Sequence, residues 1–364
     1  MNITVLLQEM AQHDASDLHL KVGRKPFYRV KKDLIEVVHH DVLTDEDVES
    51  FAFSMMNPLQ QKVFLERHEL DLAYESEEVG RFRVNIFKQR GHFGIVLRRI
   101  KKIIPSFEEL GLPPVLSTIA SSQDGLVLIA GPTGCGKSTT MAAIINYVNA
   151  NARKHIITIE DPIEFLYTDD KSLINQREVE IDTLSFHAAL KHVLREDPDI
   201  ILIGELRDTD TFEAAIKACE TGHLVYGTLH TVDTLTTIRR ILDFFPQEEH
   251  PQVRKTLAYN LRSTVCQKLV PTKDGNGLVP VCEIMLVTPI ISKLIIEDKI
   301  NKIPAAMTSD KQYGMQTFNQ HLVKLIEGDI IDREAGFVVS PAPDALEMNL
   351  RGIYLDEDTR IIGE

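Results

Sequence analysis

The sequence predicts an α/β protein: a parallel sheet covered by helices, preceded by a small α+β unit. Three observations predict it. The apolar runs 125–130, 155–159, 199–204 and 224–229 recur with helical stretches between them, the pattern of strands buried on both faces. A glycine-rich loop, GPTGCGKS, stands directly between the first of these runs and a helix. Residues 81–87, much earlier in the chain, alternate apolar with polar side chains, the period of two expected of a half-buried strand.

Composition sets the outer limits. The 364 residues suggest two domains at roughly 150 residues each. Hydrophobic residues make up 43% and charged residues 26%, so real cores can form. No apolar run approaches the ~18 residues that a membrane-spanning helix needs. The N-terminal stretch carries acidic residues and lacks a basic segment followed by an apolar core, so it does not read as a signal peptide, and a cytoplasmic location is expected. A formal net charge of −14 argues against nucleic acid as the main partner, because phosphate contacts demand a basic surface. Four dispersed cysteines with no CxxC pair fit reduced thiols.

Along the chain, residues 1–100 read as the α+β unit. A helix over 3–12 leads to short strands at 17–21 and 27–30, and Thr44 and Asp47 open a helical stretch that runs past Pro58 towards His68. Strands follow at 81–87 and 92–100. In the first, Phe82, Val84 and Ile86 face a core, while Arg81 and Arg83 share the opposite face. Residues 101–114, rich in Pro and charge, read as a linker. Residues 115–340 form the second domain, with helices at 185–195 and 210–221, the latter ended by Gly222. Val253, Leu257, Leu261, Val265 and Leu269, spaced by four, predict one long core-facing helix. Residues 341–364, mixing Pro with acids, read as a solvated tail.

The loop matches GxxxxGK[ST] at every required position, from Gly131 through Pro132, Thr133, Gly134, Cys135, Gly136 and Lys137 to Ser138, with Thr139 following. Its glycines let consecutive backbone N–H groups turn inward around phosphates. Lys137 places a cation on the outer phosphates, Ser138 offers a hydroxyl to Mg²⁺, and the helix N-terminus adds its positive end. Such a loop needs an acid to organise Mg²⁺ and a residue to position the attacking water. Two acidic clusters stand at strand ends: Glu160, Asp161 and Glu164 after the second run, and Glu205 after the third. Gly204 occupies the place where many such enzymes carry an aspartate, so the first cluster is expected to share the metal-organising work. Either cluster alone could be an ordinary strand-end cap. His223 and His230 bracket the fourth run; Cys219 and His223 could share a helix end, but six intervening residues at ~3.3 Å each keep His230 out of range for a common zinc site. The readings left are structural histidines, or histidines that sense nucleotide at the carboxyl end of the sheet.

GPTGCGKSTT, TIEDPIEF, NQREV, REDPDIILIGELRD and ETGHLVYGTLHT, in this order, together with ASDLHL and GRFRVN, resemble the PilT/PilU branch of the secretion ATPase superfamily over about residues 1–330. The resemblance implies a RecA-like P-loop ATPase core behind a PAS-like N-terminal domain, assembled as a homohexameric ring that turns over ATP with Mg²⁺ to drive type IV pilus retraction. By position, Gly131–Thr139 hold phosphates and Mg²⁺, Glu164 activates or orients the attacking water, and Glu205 takes the Walker B glutamate position. His223 and His230 fall in the family's His box, and Arg81, Arg83 and Arg98 reach towards the terminal phosphate. The implied partners are further copies of the chain, the inner-membrane platform protein of the pilus machine and a paralogous retraction ATPase. The implied location is the cytoplasmic face of the inner membrane. Pilus-assembly and type II secretion ATPases are the alternative within the fold, a nucleic-acid motor a more distant one; an extra N-terminal domain and a cysteine-rich insert, usual in the former, are not seen. Residues 290–297 depart from the PilT segment AIRNLIRE, with Ser292 and Ile296 in place of its arginines, and NLRSTVCQKLVP, EIMLVTPIISKLI and GMQTFNQ are closer to the accessory paralogue PilU.

Overall fold

The computed structural model describes residues 2–353 except 31, 32, 101, 276 and 310–312. The chain divides into two compact units, Met1–Ile103 with Glu164–Leu166, and Ile104–Ile163 with Tyr167–Glu364.

The N-terminal unit runs α1 (Ile3–Gln12), β1 (Asp17–Lys21), β2 (Phe27–Val30), β3 (Asp33–Glu36), α2 (Asp45–Met55), α3 (Pro58–Arg67), β4 (Glu69–Ser76), β5 (Gly80–Gln89) and β6 (His92–Arg99). Its antiparallel sheet has the order β3-β2-β1-β6-β5-β4. On β5 every second residue from Phe82 to Ile86 is buried, as the alternation predicts, against Leu6, Leu7 and Met10 of α1 and Phe51 and Phe64 of the two following helices. The single helical stretch expected over 44–68 is two helices. Asn57 accepts from the backbone N–H groups of Leu59 and Gln60 and starts a new helix with Pro58 in its first turn, which ends α2 at Met55. β3 and β4 carry no clear sequence signal, because their mixed charged and apolar residues hide the strand period.

The second unit runs α4 (Val115–Ala120), β7 (Gly125–Ala130), α5 (Lys137–Asn151), β8 (His155–Glu160), β9 (Leu173–Glu178), α6 (Phe186–Val193), β10 (Ile200–Ile203), α7 (Thr209–Glu220), β11 (Leu224–Leu229), α8 (Thr234–Leu242), α9 (His250–Asn260), β12 (Leu261–Pro271), β13 (Leu278–Leu286), α10 (Pro289–Ile296), α11 (Ile303–Ser309), α12 (Phe318–Glu327), α13 (Arg333–Val339) and α14 (Pro343–Leu350). The sheet order is β13-β12-β7-β11-β10-β8-β9, parallel throughout except for β13. Both faces are buried. Leu126 and Leu128 of β7 join a core with α6 to α9, while Val127 and Ile129 join one with α4 and α5.

Two expectations fail here. The long helix through Leu269 stops at Asn260, and Leu261–Pro271 is β12, paired with β7 and β13. A spacing of four is also a multiple of two, so the pattern suits a strand as readily as a helix, and an irregularity between Leu261 and Ser263 sends Leu261 to one core and Val265 to the other. The tail expected from 341 is not wholly solvated: α14 covers 343–350 and buries Leu346 completely. The rest of that tail, 354–364, lies outside the described residues. Among the described residues, no helix is long and apolar enough to cross a membrane.

Candidate nucleotide site

All parallel strands of the core point their carboxyl ends to one edge, where α5, α7 and α8 begin. The loop between β7 and α5 needs its glycines. At Gly131, φ is +153° and a Cβ would fall 2.4 Å from Cys135 Sγ and 2.5 Å from the Gln267 carbonyl oxygen. At Gly136, φ is +89°, a left-handed conformation that any side chain would strain. Pro132, Thr133 and Gly134 are exposed at the crest, and Ser138 and Thr139 sit half-buried in the first turn of α5. Cys135 is buried beneath the loop, and burial pushes its thiol pKa up, so it packs as a small apolar group.

Lys137 is buried, with its ammonium donating to the carbonyls of Gly131 at 2.8 Å and Pro132 at 3.1 Å. From there polar contacts run along the carboxyl edge. Lys137 Nζ lies 3.5 Å from His230 Nδ1, and His230 Nε2 lies 3.5 Å from Glu205 Oε1. Arg207 Nε donates to Glu205 Oε2 at 2.8 Å, and its guanidinium approaches Asp161 at 3.7 Å. The hydrogen bond to Glu205, with the nearby acids, raises the Arg207 pKa. Glu160, at the end of β8, accepts from Thr158 at 2.6 Å and from Gln176 at 3.1 Å. Gly204 donates its N–H to the Ile159 carbonyl at 2.8 Å, and a Cβ there would lie 3.1 Å from that same oxygen. A side chain at 204 is therefore crowded by β8, and the acids of the edge come from 160, 161 and 205.

Two residues of the site escape a reading of motifs. Arg207 joins the two acidic clusters, and its partner Asp161 is remote in sequence. Gln267, buried on β12, donates to the Cys135 carbonyl at 2.7 Å and accepts from the Thr140 hydroxyl at 2.7 Å, bracing both the loop and the first turn of α5. The register that places Cys266 opposite Ala130 puts it there, a strand pairing that the expected helix would have excluded.

The structure does not bring every expected residue to this edge. His223 precedes β11 at the amino edge, where its ring lies 3.0 Å from the Ala218 carbonyl at the end of α7 and 3.0 Å from the Thr221 hydroxyl. Six residues of strand separate it from His230, so it does not reach the nucleotide loop. Glu164 is exposed in the loop after β8 and belongs to the other compact unit. Arg81, Arg83 and Arg98 lie on the polar face of the N-terminal sheet, with Arg83 opposite Arg98 in register. Arg98 Nε donates to buried Asp17 at 2.8 Å, and Arg83 pairs with Asp71 at 3.7 Å.

The donors present fit a nucleoside triphosphate with Mg²⁺. A buried ammonium is held by carbonyl oxygens and an imidazole, a helix N-terminus faces the same loop, and a hydroxyl stands beside it with carboxylates on the neighbouring strands. Strand, loop and helix in this arrangement define a P-loop nucleotide-hydrolysing core.

Comparison with known proteins agrees. Residues 1–325 match the family described as type II/IV secretion system protein, and the chain belongs to that family. It is 46% identical to the type IV pilus retraction ATPase PilT of Pseudomonas aeruginosa, over 92% of this chain and 96% of that one. It is 40% identical to the type IV pilus ATPase PilU of the same organism, over 98% and 94%. Among solved structures, the pilus retraction motor PilT with bound ADP superposes with a TM-score of 0.89 at 41% identity, covering 95% of this chain and 99% of that one.

Proposed function

We propose that the protein is an ATPase that works as a ring of six identical subunits and couples ATP hydrolysis to the retraction of a type IV pilus. The observation that carries this reading is the line of contacts from Lys137 through His230 and Glu205 to Arg207 and Asp161. It gives the phosphate loop a set of charges on three neighbouring strands, in a chain 46% identical to a retraction ATPase along nearly its full length.

Hydrolysis needs little covalent help from the protein and much positioning. When nucleotide enters, phosphate oxygens replace the carbonyls of Gly131 and Pro132 as partners of the Lys137 ammonium. The inward N–H groups of the loop bind the same oxygens. Mg²⁺, when bound with the nucleotide, neutralises charge on the outer phosphates, and Ser138, Glu160, Asp161 and Glu205 are the residues that would hold it and its waters. Lys137 leaving His230 changes the partners of that ring and, through it, of Glu205, so the acidic cluster registers the phosphate. Glu164 orients the attacking water. Arg81, Arg83 and Arg98 supply positive charge from the N-terminal unit of a subunit in the ring, where closed symmetry ends identical head-to-tail contacts. The platform protein of the pilus machine, at the cytoplasmic face of the inner membrane, receives the force.

A second reading, the accessory PilU-like role with a paralogous retraction ATPase as partner, is favoured by α10. Ser292, in place of an arginine, donates to the Ala258 carbonyl of α9 at 3.2 Å, and Ile296 packs half-buried against the core. This helix face therefore holds to its own domain where arginines would project charge. Pilus retraction in a strain whose sole family member is this protein separates the two readings. Full retraction supports the main-motor role, retraction restored only with the paralogue supports the accessory role, and ATPase activity with no effect on pili in either strain refutes both.

A further inference from the structure

The N-terminal unit holds a cluster that nucleotide chemistry does not use. Glu9 projects from α1, and His39 and His40 follow β3 in the loop towards Thr44. Both imidazole Nε2 atoms converge on one carboxylate oxygen, Glu9 Oε2, at 3.2 Å from His39 and 2.7 Å from His40. The three candidate ligand atoms lie within 4.8 Å of one another. The cluster is braced from behind. The Tyr28 hydroxyl donates to the Leu6 carbonyl of α1 at 2.7 Å and lies 3.3 Å from the same Glu9 oxygen. The loop is held by Val37 N–H on the Pro26 carbonyl at 2.9 Å and His40 N–H on the Val37 carbonyl at 3.3 Å. The His40 side chain is 14% exposed and that of His39 56%, so one side of the cluster is covered and the other faces water.

We propose that Glu9, His39 and His40 form a binding site for a divalent transition-metal ion of the zinc class, with water completing its coordination. Two imidazole nitrogens with one carboxylate oxygen are a donor set for Zn²⁺, Co²⁺ or Ni²⁺, whereas Mg²⁺ prefers oxygen donors and retained waters. Ligand atoms about 2.0–2.2 Å from a tetrahedral metal stand roughly 3.3–3.6 Å apart, so a small spreading of the two contacts to Glu9 admits the ion. Each imidazole would coordinate through Nε2 as the neutral ring, with its proton on Nδ1. Its effect is a cross-link. Glu9 and His39 are 30 residues apart, and joining them ties α1 to the hairpin β2–β3 and stabilises the folded unit by binding it alone. The site is separate from the Mg²⁺ of the nucleotide loop in donor chemistry and in sequence.

The test uses the full chain, stripped with a chelator and kept in excess Mg²⁺ without nucleotide, titrated with Zn²⁺ by calorimetry and with Co²⁺ by visible absorption. One equivalent of Zn²⁺ per chain, an intense cobalt band and a melting temperature raised by zinc and restored by chelator are expected. Glu9→Gln and the double variant His39→Ala/His40→Ala each weaken binding at least about tenfold, the scale of loss when a metal's supporting groups are removed. Their zinc-free ATP hydrolysis stays unchanged, which also reports that they fold. Zinc binding in the double variant equal to that of the unmodified chain overturns the proposal, as does the absence of a tight equivalent in the unmodified chain. If the double variant does not fold, His39→Ala, a change at an exposed side chain, carries the same comparison.

Discussion

The carboxyl edge of the core sheet carries His230, Glu205, Arg207 and Asp161; its amino edge carries His223, Arg262 and Asp124. The residue types match, down to an arginine paired with an acid at each edge. At the amino edge the pairs close locally. Arg262 bonds Asp124 at 2.5 Å and the Tyr259 carbonyl at 2.8 Å, and His223 lies against the last turn of α7. At the carboxyl edge the contacts run in a line that ends on one ammonium, and helices begin there with their N–H groups directed outward. Parallel strands joined by crossover helices collect helix N-termini at one edge and C-termini at the other, so the two edges differ in field although their side chains are alike. Position on the sheet, more than residue type, makes a histidine part of a site.

This contrast can be broken experimentally, and the largest effect is expected at its centre. Lys137→Ala removes the cation at the head of that line, so nucleotide binding and turnover should fall together by roughly a hundredfold or more, the scale for losing one preorganised charge donor. Equilibrium binding and Mg²⁺-ATPase measurements check this, and undiminished activity would reject the site. Glu164→Gln should still bind ATP but slow the chemistry on the order of a hundredfold, as for lost general-base help; weakened binding with normal turnover would contradict the role given to it.

A smaller loss is expected beneath the loop. Gln267→Ala leaves the Cys135 carbonyl and Thr140 hydroxyl without their buried partner, at a cost of about 1–3 kcal/mol in unfolding free energy. Because that amide holds the phosphate loop, the KM for ATP should rise more than kcat falls. Thermal melts with ATPase kinetics decide this, and unchanged stability with unchanged KM would show that the loop holds its shape without β12.

How much of this was legible follows from the range of each interaction. The phosphate loop is local: strand, glycines, lysine and helix follow one another without interruption over residues 125–151, so its motif fixes both geometry and chemistry. Phe82, Val84 and Ile86 were legible for the same reason, since a strand's period needs only its own residues. Gln267 was not, because its role depends on β12 lying beside β7, and its apolar neighbours repeat every four residues, a spacing that helix and strand both satisfy. Two glutamates were visible as strand-end acids, yet the guanidinium of Arg207 that joins Glu205 to Asp161 depends on β10 lying next to β8. His223 was grouped with His230 by motif, and the direction of β11 separates them by the length of a strand.

That separation supplies the most direct test of the account. The matched variants His230→Ala and His223→Ala, purified in parallel, are to be compared in Mg²⁺-ATP hydrolysis under saturating nucleotide. His230→Ala should lose roughly tenfold or more in turnover, because misplacing charged groups beside the reacting phosphate is costly. His223→Ala should stay within about twofold, as for a change away from the site. Equal and large losses in both, or a loss confined to His223→Ala, would contradict the placement of the nucleotide chemistry at the carboxyl edge alone.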